Sequence, residues 1–176
     1  MNWPVRRRRF RTPLAIVGLL LALGVAMRAG MTRLEPLPPP SEPLAEATYA
    51  VRRVVDGDTL LLTDGRYVRL IGVDTPETKK EYHPVEPFGP EATQFTENFI
   101  RDRPVHFRLD HERLDQHGRT LAYVYVDGKM LNEELLRVGL ARARTRFNYA
   151  ESMKKKFRAA ENEARQNRHG IWSQSM

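Results

Sequence analysis

Three short runs rich in β-branched and aromatic residues, Tyr49 to Val54, Thr59 to Thr63 and Tyr67 to Val73, follow one another with little but turn residues between them. Asp64-Gly65 between the last two is a hairpin signal, so the runs pair as a three-stranded meander. That pairing commits the middle of the chain to a sheet. Val105 to Leu109 and Leu121 to Val126 read as two more strands, and Pro90 opens a helical stretch with Ala92, Phe95 and Phe99 on one stripe. Asn132 stands where it can cap a short helix running to Gly139. Met153, Phe157, Ala160 and Ala164 then line one face of a last helix before Ile171-Trp172. The expected class is α+β, with five short strands closed into a small barrel and three helices around it.

The 176 residues hold one such domain plus extensions. Arg6 to Arg9 and Arg11 precede an uncharged apolar run from Leu14 to Met27, the order of the basic and hydrophobic regions of an export signal. Fourteen helical residues reach only ~21 Å against a hydrocarbon core of ~30 Å, so residues 1–32 read either as a marginal membrane anchor or as a signal cleaved after the small residues Gly24-Val25-Ala26. Both readings place the domain outside the cytoplasm, membrane-anchored in the first case and secreted or periplasmic in the second. Arg7-Arg8-Arg9-Phe10 weakly resembles a twin-arginine signal. Residues 33–45 form a stiff spacer around Pro36, Pro38, Pro39, Pro40 and Pro43, and the folded domain occupies 46–174.

The formal charge of +7 invites a nucleic-acid reading, yet residues 1–45 carry seven arginines against Glu35 and Glu42 and so supply +5 of it. A nucleic-acid partner must therefore be argued from particular residues. Cysteine is absent, which excludes disulfides, thiolate metal sites and a cysteine nucleophile. Asp56-Gly57-Asp58-Thr59 lies between two strands and Asp74-Thr75-Pro76-Glu77 ends the third, so two strand ends present carboxylates that suit a hard cation. Taken alone, Asp-Gly-Asp between strands is more often a turn with a solvated carboxylate. Arg69, amid Val68, Leu70, Ile71 and Val73, needs an anionic partner, either an internal carboxylate or a substrate phosphate. Arg119 follows Asp115-Gln116-His117-Gly118, where a glycine turn can aim it back at the same place.

Val55-Asp56-Gly57-Asp58-Thr59, Arg69-Leu70, Val73-Asp74-Thr75-Pro76-Glu77-Thr78, Gly89-Pro90-Glu91-Ala92, Asp115 with Gly118-Arg119, Leu121-Ala122-Tyr123-Val124-Tyr125, Asp127-Gly128-Lys129-Met130, Asn132-Glu133, Gly139-Leu140-Ala141 and Ile171-Trp172-Ser173 occur in that order. Together, from about Ala47 to Ser173, they resemble the staphylococcal nuclease (thermonuclease) family. The resemblance implies a five-stranded OB-type barrel with three helices, acting as a monomer. It also implies Ca²⁺-dependent hydrolysis of DNA or RNA that leaves 3′-phosphate ends. By the same resemblance Asp58 and Asp74 would ligate Ca²⁺ through their carboxylates and Thr75 through its carbonyl, with Asp56 behind them. Glu77 would be the general base on water, and Arg69 and Arg119 would clamp the phosphate.

Where that family has lysine and tyrosine before the loop glycine, this chain has Gln116 and His117, and Thr145 and Phe147 replace two pocket tyrosines. Phe147 keeps a stacking face and Thr145 removes one, so weaker nucleotide binding is expected. Arg142, Arg144 and Arg146 alternate nearby and could follow a phosphate backbone from one strand face, or simply be solvated. Lys154, Lys155, Lys156 and Arg158 look like part of a mixed solvated helix face. Two other classes stay open on sequence grounds: a catalytically silent nucleic-acid-binding module, and a tethered calcium-stabilised scaffold.

Overall fold

In a computed structural model of the chain, residues 44–78 and 85–173 are described. The expected N-terminal signal or anchor and the proline spacer lie outside these residues. Among the described residues, no helix is long and apolar enough to cross a membrane. The strands are β1 (Thr48–Tyr49), β2 (Val51–Asp56), β3 (Thr59–Leu62), β4 (Tyr67–Leu70), β5 (Val73–Asp74), β6 (Val105–Arg108), β7 (Thr120–Val126), β8 (Lys129–Met130) and β9 (Arg142–Ala143). The helices are α1 (Gly89–Ile100), α2 (Leu131–Arg137) and α3 (Glu151–Gln166), and a 3-10 turn covers Gly170–Trp172. The class is α+β, as the sequence pattern requires.

The β3–β4 hairpin turns where Asp64-Gly65 predicts. The Asp64 carboxylate accepts from the Arg66 backbone N–H at 3.0 Å and from its guanidinium at 2.9 Å, so one side chain closes the turn it begins. Hydrogen bonding orders the main sheet β1-β6-β7-β4-β3-β2, with β8 on β7; β4 and β7 run parallel and the other pairs antiparallel. This corrects the closed five-stranded barrel. The two ends of the ladder, β1 and β2, are separated only by Ala50, where the chain leaves β6 to pair with β3. Register shifts within the β2–β3 pair bend it further. The sheet is therefore mixed and interrupted rather than continuous around a ring.

The third run does not extend unbroken to Val73. It turns at Ile71-Gly72 and resumes as β5, which pairs with β9 in a separate two-stranded ladder, Asp74 opposite Arg142. Asn132 is not a helix cap. It lies fully buried within α2, accepts from the Val124 N–H at 2.9 Å and donates to the Ile71 carbonyl at 2.9 Å, tying β7 to that break. Leu60, Leu62, Val68, Leu70, Val105, Phe107, Val124, Leu131, Leu135, Leu136 and Phe157 form the core. Gly139 and Gly170 meet backbone to backbone. A Cβ on either would collide with the other segment's main chain, and the Ile171 N–H donates to the Gly139 carbonyl at 2.9 Å.

Candidate active site

The loop between β2 and β3 is fixed before any charge is considered. Thr96 of α1 donates to the Gly57 carbonyl at 2.7 Å, the Asp58 N–H donates to Asp56 Oδ1 at 3.2 Å, and the Asp58 carbonyl accepts from the Leu70 N–H at 2.9 Å. Asp58 is thereby held almost fully buried, its carboxylate accepting from the Thr59 hydroxyl at 3.2 Å and from the Thr75 N–H at 2.8 Å. Burial of such a group is tolerable only with a countercharge. Arg69 supplies it. One guanidinium nitrogen pairs with Asp58 and the other reaches Asp74 Oδ1 at 2.9 Å, so a single cation joins the two strand ends.

Arg119 lies in the loop just before β7. Its Nε donates to Asp115 Oδ2 at 2.6 Å and its Nη1 lies 3.5 Å from the Thr59 hydroxyl, opposite Arg69 in the β3–β4 register. Asp115 also accepts from the backbone N–H groups of His117 and Arg119, so it shapes the loop and aims the arginine together. Burial alone would raise the Asp115 pKa, but these bonds outweigh it and hold the carboxyl below its ordinary value. For Arg69, burial lowers the pKa and the charge of Arg119 acts the same way, while Asp74, Asp56 and Glu77 oppose them. Burial pushes Asp56 above the usual carboxylate range against the Thr59 hydroxyl, Arg69 and Arg119. Arg69 thus lies within electrostatic reach of Asp56, Asp74, Glu77 and Arg119.

Glu77 is held from a direction that sequence spacing did not reveal. Its N–H donates to Glu86 Oε2 at 3.2 Å and its carbonyl accepts from the Glu86 N–H at 3.0 Å, so Glu86 positions it. Arg144 is the other residue whose place in the site was not foreseen. Its Nε donates to Asp74 Oδ2 at 3.0 Å and its Nη2 pairs with the same oxygen. The expectation of three arginines on one strand face gives way to three separate environments. Arg142 lies over the Trp172 ring at 4.6 Å, Arg144 grips Asp74, and Arg146 is exposed beyond the end of β9.

The family whose model matches residues 67–174 is the staphylococcal nuclease homologues. Thermonuclease from Staphylococcus hyicus is 42% identical over 134 residues, covering 73% of this chain and 77% of that protein. The chain belongs to the staphylococcal nuclease family. By that membership it is a hydrolase of the nuclease class. A thermonuclease from Staphylococcus intermedius is 48% identical over 100 residues, 55% of this chain and 60% of that protein. Endonuclease YncB of Bacillus subtilis (strain 168) is 39% identical over 127 residues, 70% of this chain and 60% of that one.

The oxygen donors suit a hard cation. Asp58 and Asp74 converge on one guanidinium, which shows their carboxylates close enough to share a positive centre, and Thr75, whose N–H donates to Asp58, follows Asp74 in the chain. Among the described residues, no group of three or more His, Cys, Asp or Glu side chains is arranged to hold a metal, so the rest of such a coordination shell would fall to water and substrate. The residues marked for nucleotide contact make no side-chain bond to Asp58, Asp74 or Arg69 among the described residues, although the His117 N–H shares Asp115 with Arg119 and Thr145 follows Arg144. Gln116 and His117 touch each other at 3.2 Å on an exposed loop tip. Phe147 is 60% exposed and Thr145 half-buried, both in the turn after β9.

Proposed function

We propose that this nuclease-family chain is a Ca²⁺-dependent endonuclease that hydrolyses phosphodiester bonds of single-stranded or locally open DNA or RNA, leaving 3′-phosphate ends. The observation that carries the reading is Arg69: a half-buried guanidinium shared by Asp58 and Asp74, with Arg119 and Glu77 within its field. Such an arrangement is made for an anion whose charge grows during reaction. Arg69 and Arg119 flank the place where a phosphate would sit and would donate to its oxygens more strongly as it becomes five-coordinate, an effect worth roughly 3 kcal/mol for one donor. Glu77, steadied by Glu86, would take the proton of the attacking water, contributing about 10²- to 10⁴-fold.

Asp58, Asp74 and the Thr75 carbonyl would hold the calcium ion, with Asp56 behind them. When bound, that ion would neutralise phosphate charge and orient the phosphate. We propose in the same way that residues 1–32 place the domain outside the cytoplasm as anchor or cleaved signal, and that it acts as a monomer.

Digestion of heat-denatured DNA, and separately of RNA, with millimolar calcium or a chelator tests this beside Glu77→Ala. The reading expects calcium-dependent cleavage, 3′-phosphate ends and loss of most activity in the variant. Folded protein that binds nucleic acid without cutting it would instead be a binding module, disabled at Gln116, His117 and Thr145.

A further inference from the structure

A cleft of about 530 Å³ opens beside the cluster, lined in part by Asp74, Glu77, Glu86, Phe88, Arg144 and Ile171. We propose that this cleft is a subsite for the neighbouring nucleotide of the substrate strand, with Arg144 gripping the phosphate next to the scissile one. The proposal rests on the nuclease reading above and adds a residue to it.

Two of the five N–H donors of Arg144 are committed to Asp74 Oδ2, and its remaining donors make no other hydrogen bond among the described residues. Its side chain is 42% exposed. The guanidinium is therefore held in place by one edge and presents the other, an arrangement that lowers the entropy lost on gripping a phosphate oxygen. Arg142, the other cation of the cleft, is laid over Trp172 instead.

The placement fits a strand passing Arg69. Arg119 reaches Thr59, the cross-strand neighbour of Arg69, while Arg144 reaches Asp74, the ion-pair partner of Arg69. Arg119 does not line the cleft, so the two arginines serve different lengths of the same chain. The cleft's remaining walls divide by chemistry. Glu77 and Glu86 exclude a phosphate from the acidic side, whereas Phe88 and Ile171 offer half-buried apolar surface to a sugar or base. A nucleotide has that same division.

The test uses the full chain and two substrates: a dinucleoside monophosphate, whose only phosphate is the scissile one, and a single-stranded hexanucleotide. With calcium, Arg144→Ala should raise KM for the hexanucleotide about tenfold and leave KM for the dinucleotide unchanged. In chelator, anisotropy should show weaker hexanucleotide binding and a salt dependence shallower by about 0.7 in log–log slope. Arg144→Lys should keep most of that slope. Arg66→Ala, at the distant hairpin tip, removes the same charge and should change neither quantity. If Arg144→Ala lowers kcat for both substrates equally and leaves chelator binding alone, Arg144 only steadies Asp74 and the subsite is overturned. Wild-type protein that neither cuts nor binds nucleic acid would remove the nuclease reading and this proposal with it.

Discussion

Two carboxylates of this domain are equally hidden, and only one of them is built for exchange. The Asp58 side chain is 6% exposed and the Asp110 side chain 7%. Asp110 is satisfied mainly by neutral donors, the Tyr123 hydroxyl, the Ala150 N–H at 3.0 Å and the His111 N–H at 2.7 Å, with the His111 ring Nδ1 3.5 Å away. Asp58 is held by Thr59, Thr75 and a guanidinium that it shares with Asp74, while Arg144 grips Asp74 from behind. At Asp110, hydrogen bonds from neutral groups do most of the holding. Shared full charges leave room for an incoming cation or phosphate to take over one partner, and that difference separates a strut from a site.

Arg69→Ala is the hardest test of this comparison. It removes the cation between two carboxylates, so catalysis should fall at least 10²- to 10³-fold. Unfolding stability in chelator should drop by about 3 to 5 kcal/mol, the loss expected when one partner of a buried ion pair is deleted. If the pair is an exchange site, added calcium should restore part of the melting temperature in the variant. Calorimetry with and without calcium reads this directly, and an unmoved melting temperature would make Arg69 a surface ornament.

Asp110→Asn should give the opposite profile. Stability should fall by about 1 to 3 kcal/mol through imperfectly met donors, while kcat and calcium response stay close to wild type. A variant that instead loses activity with unchanged stability would erase the contrast.

The smallest effect is in the pH dependence. Asp110 and Asp115 are both held below their ordinary value, since hydrogen bonds outweigh the burial that would raise them. An acid with a depressed folded pKa stabilises the fold above its unfolded value, here 3.8, and loses that contribution as pH falls through the folded one. Asp56 has a raised pKa, so ionising it works against the fold. Acid unfolding followed by circular dichroism should therefore be shallower below about pH 4 in Asp110→Asn and Asp115→Asn than in wild type.

The two clusters were not equally legible in the sequence. Asp58, Asp74, Glu77, Arg69 and Arg119 fall in short motifs at strand ends, where residue type and neighbours already restrict the chemistry. Asp110 went unremarked because its partners stand 13 and 40 positions away and one of them is a backbone N–H. Glu86 escaped for the same reason, and so did the tie between Asp74 and Arg144, an arginine the sequence marked only for a phosphate track: each acts on a residue that only the fold brings near. The strands and helices of the core were readable from periodicity. The β5–β9 ladder was not, because two residues per strand are too few to show an alternation, and Asn132 misled because its residue type suits a cap as well as a buried bridge.

The glycine seam between positions 139 and 170 bears on the order in which the molecule can be made. Residues that leave the ribosome early, around Gly139, acquire their final backbone neighbour only when Gly170 and Ile171 have emerged. Completion of this fold therefore waits on synthesis through Ile171, and the wall that Ile171 contributes to the cleft is the last to arrive.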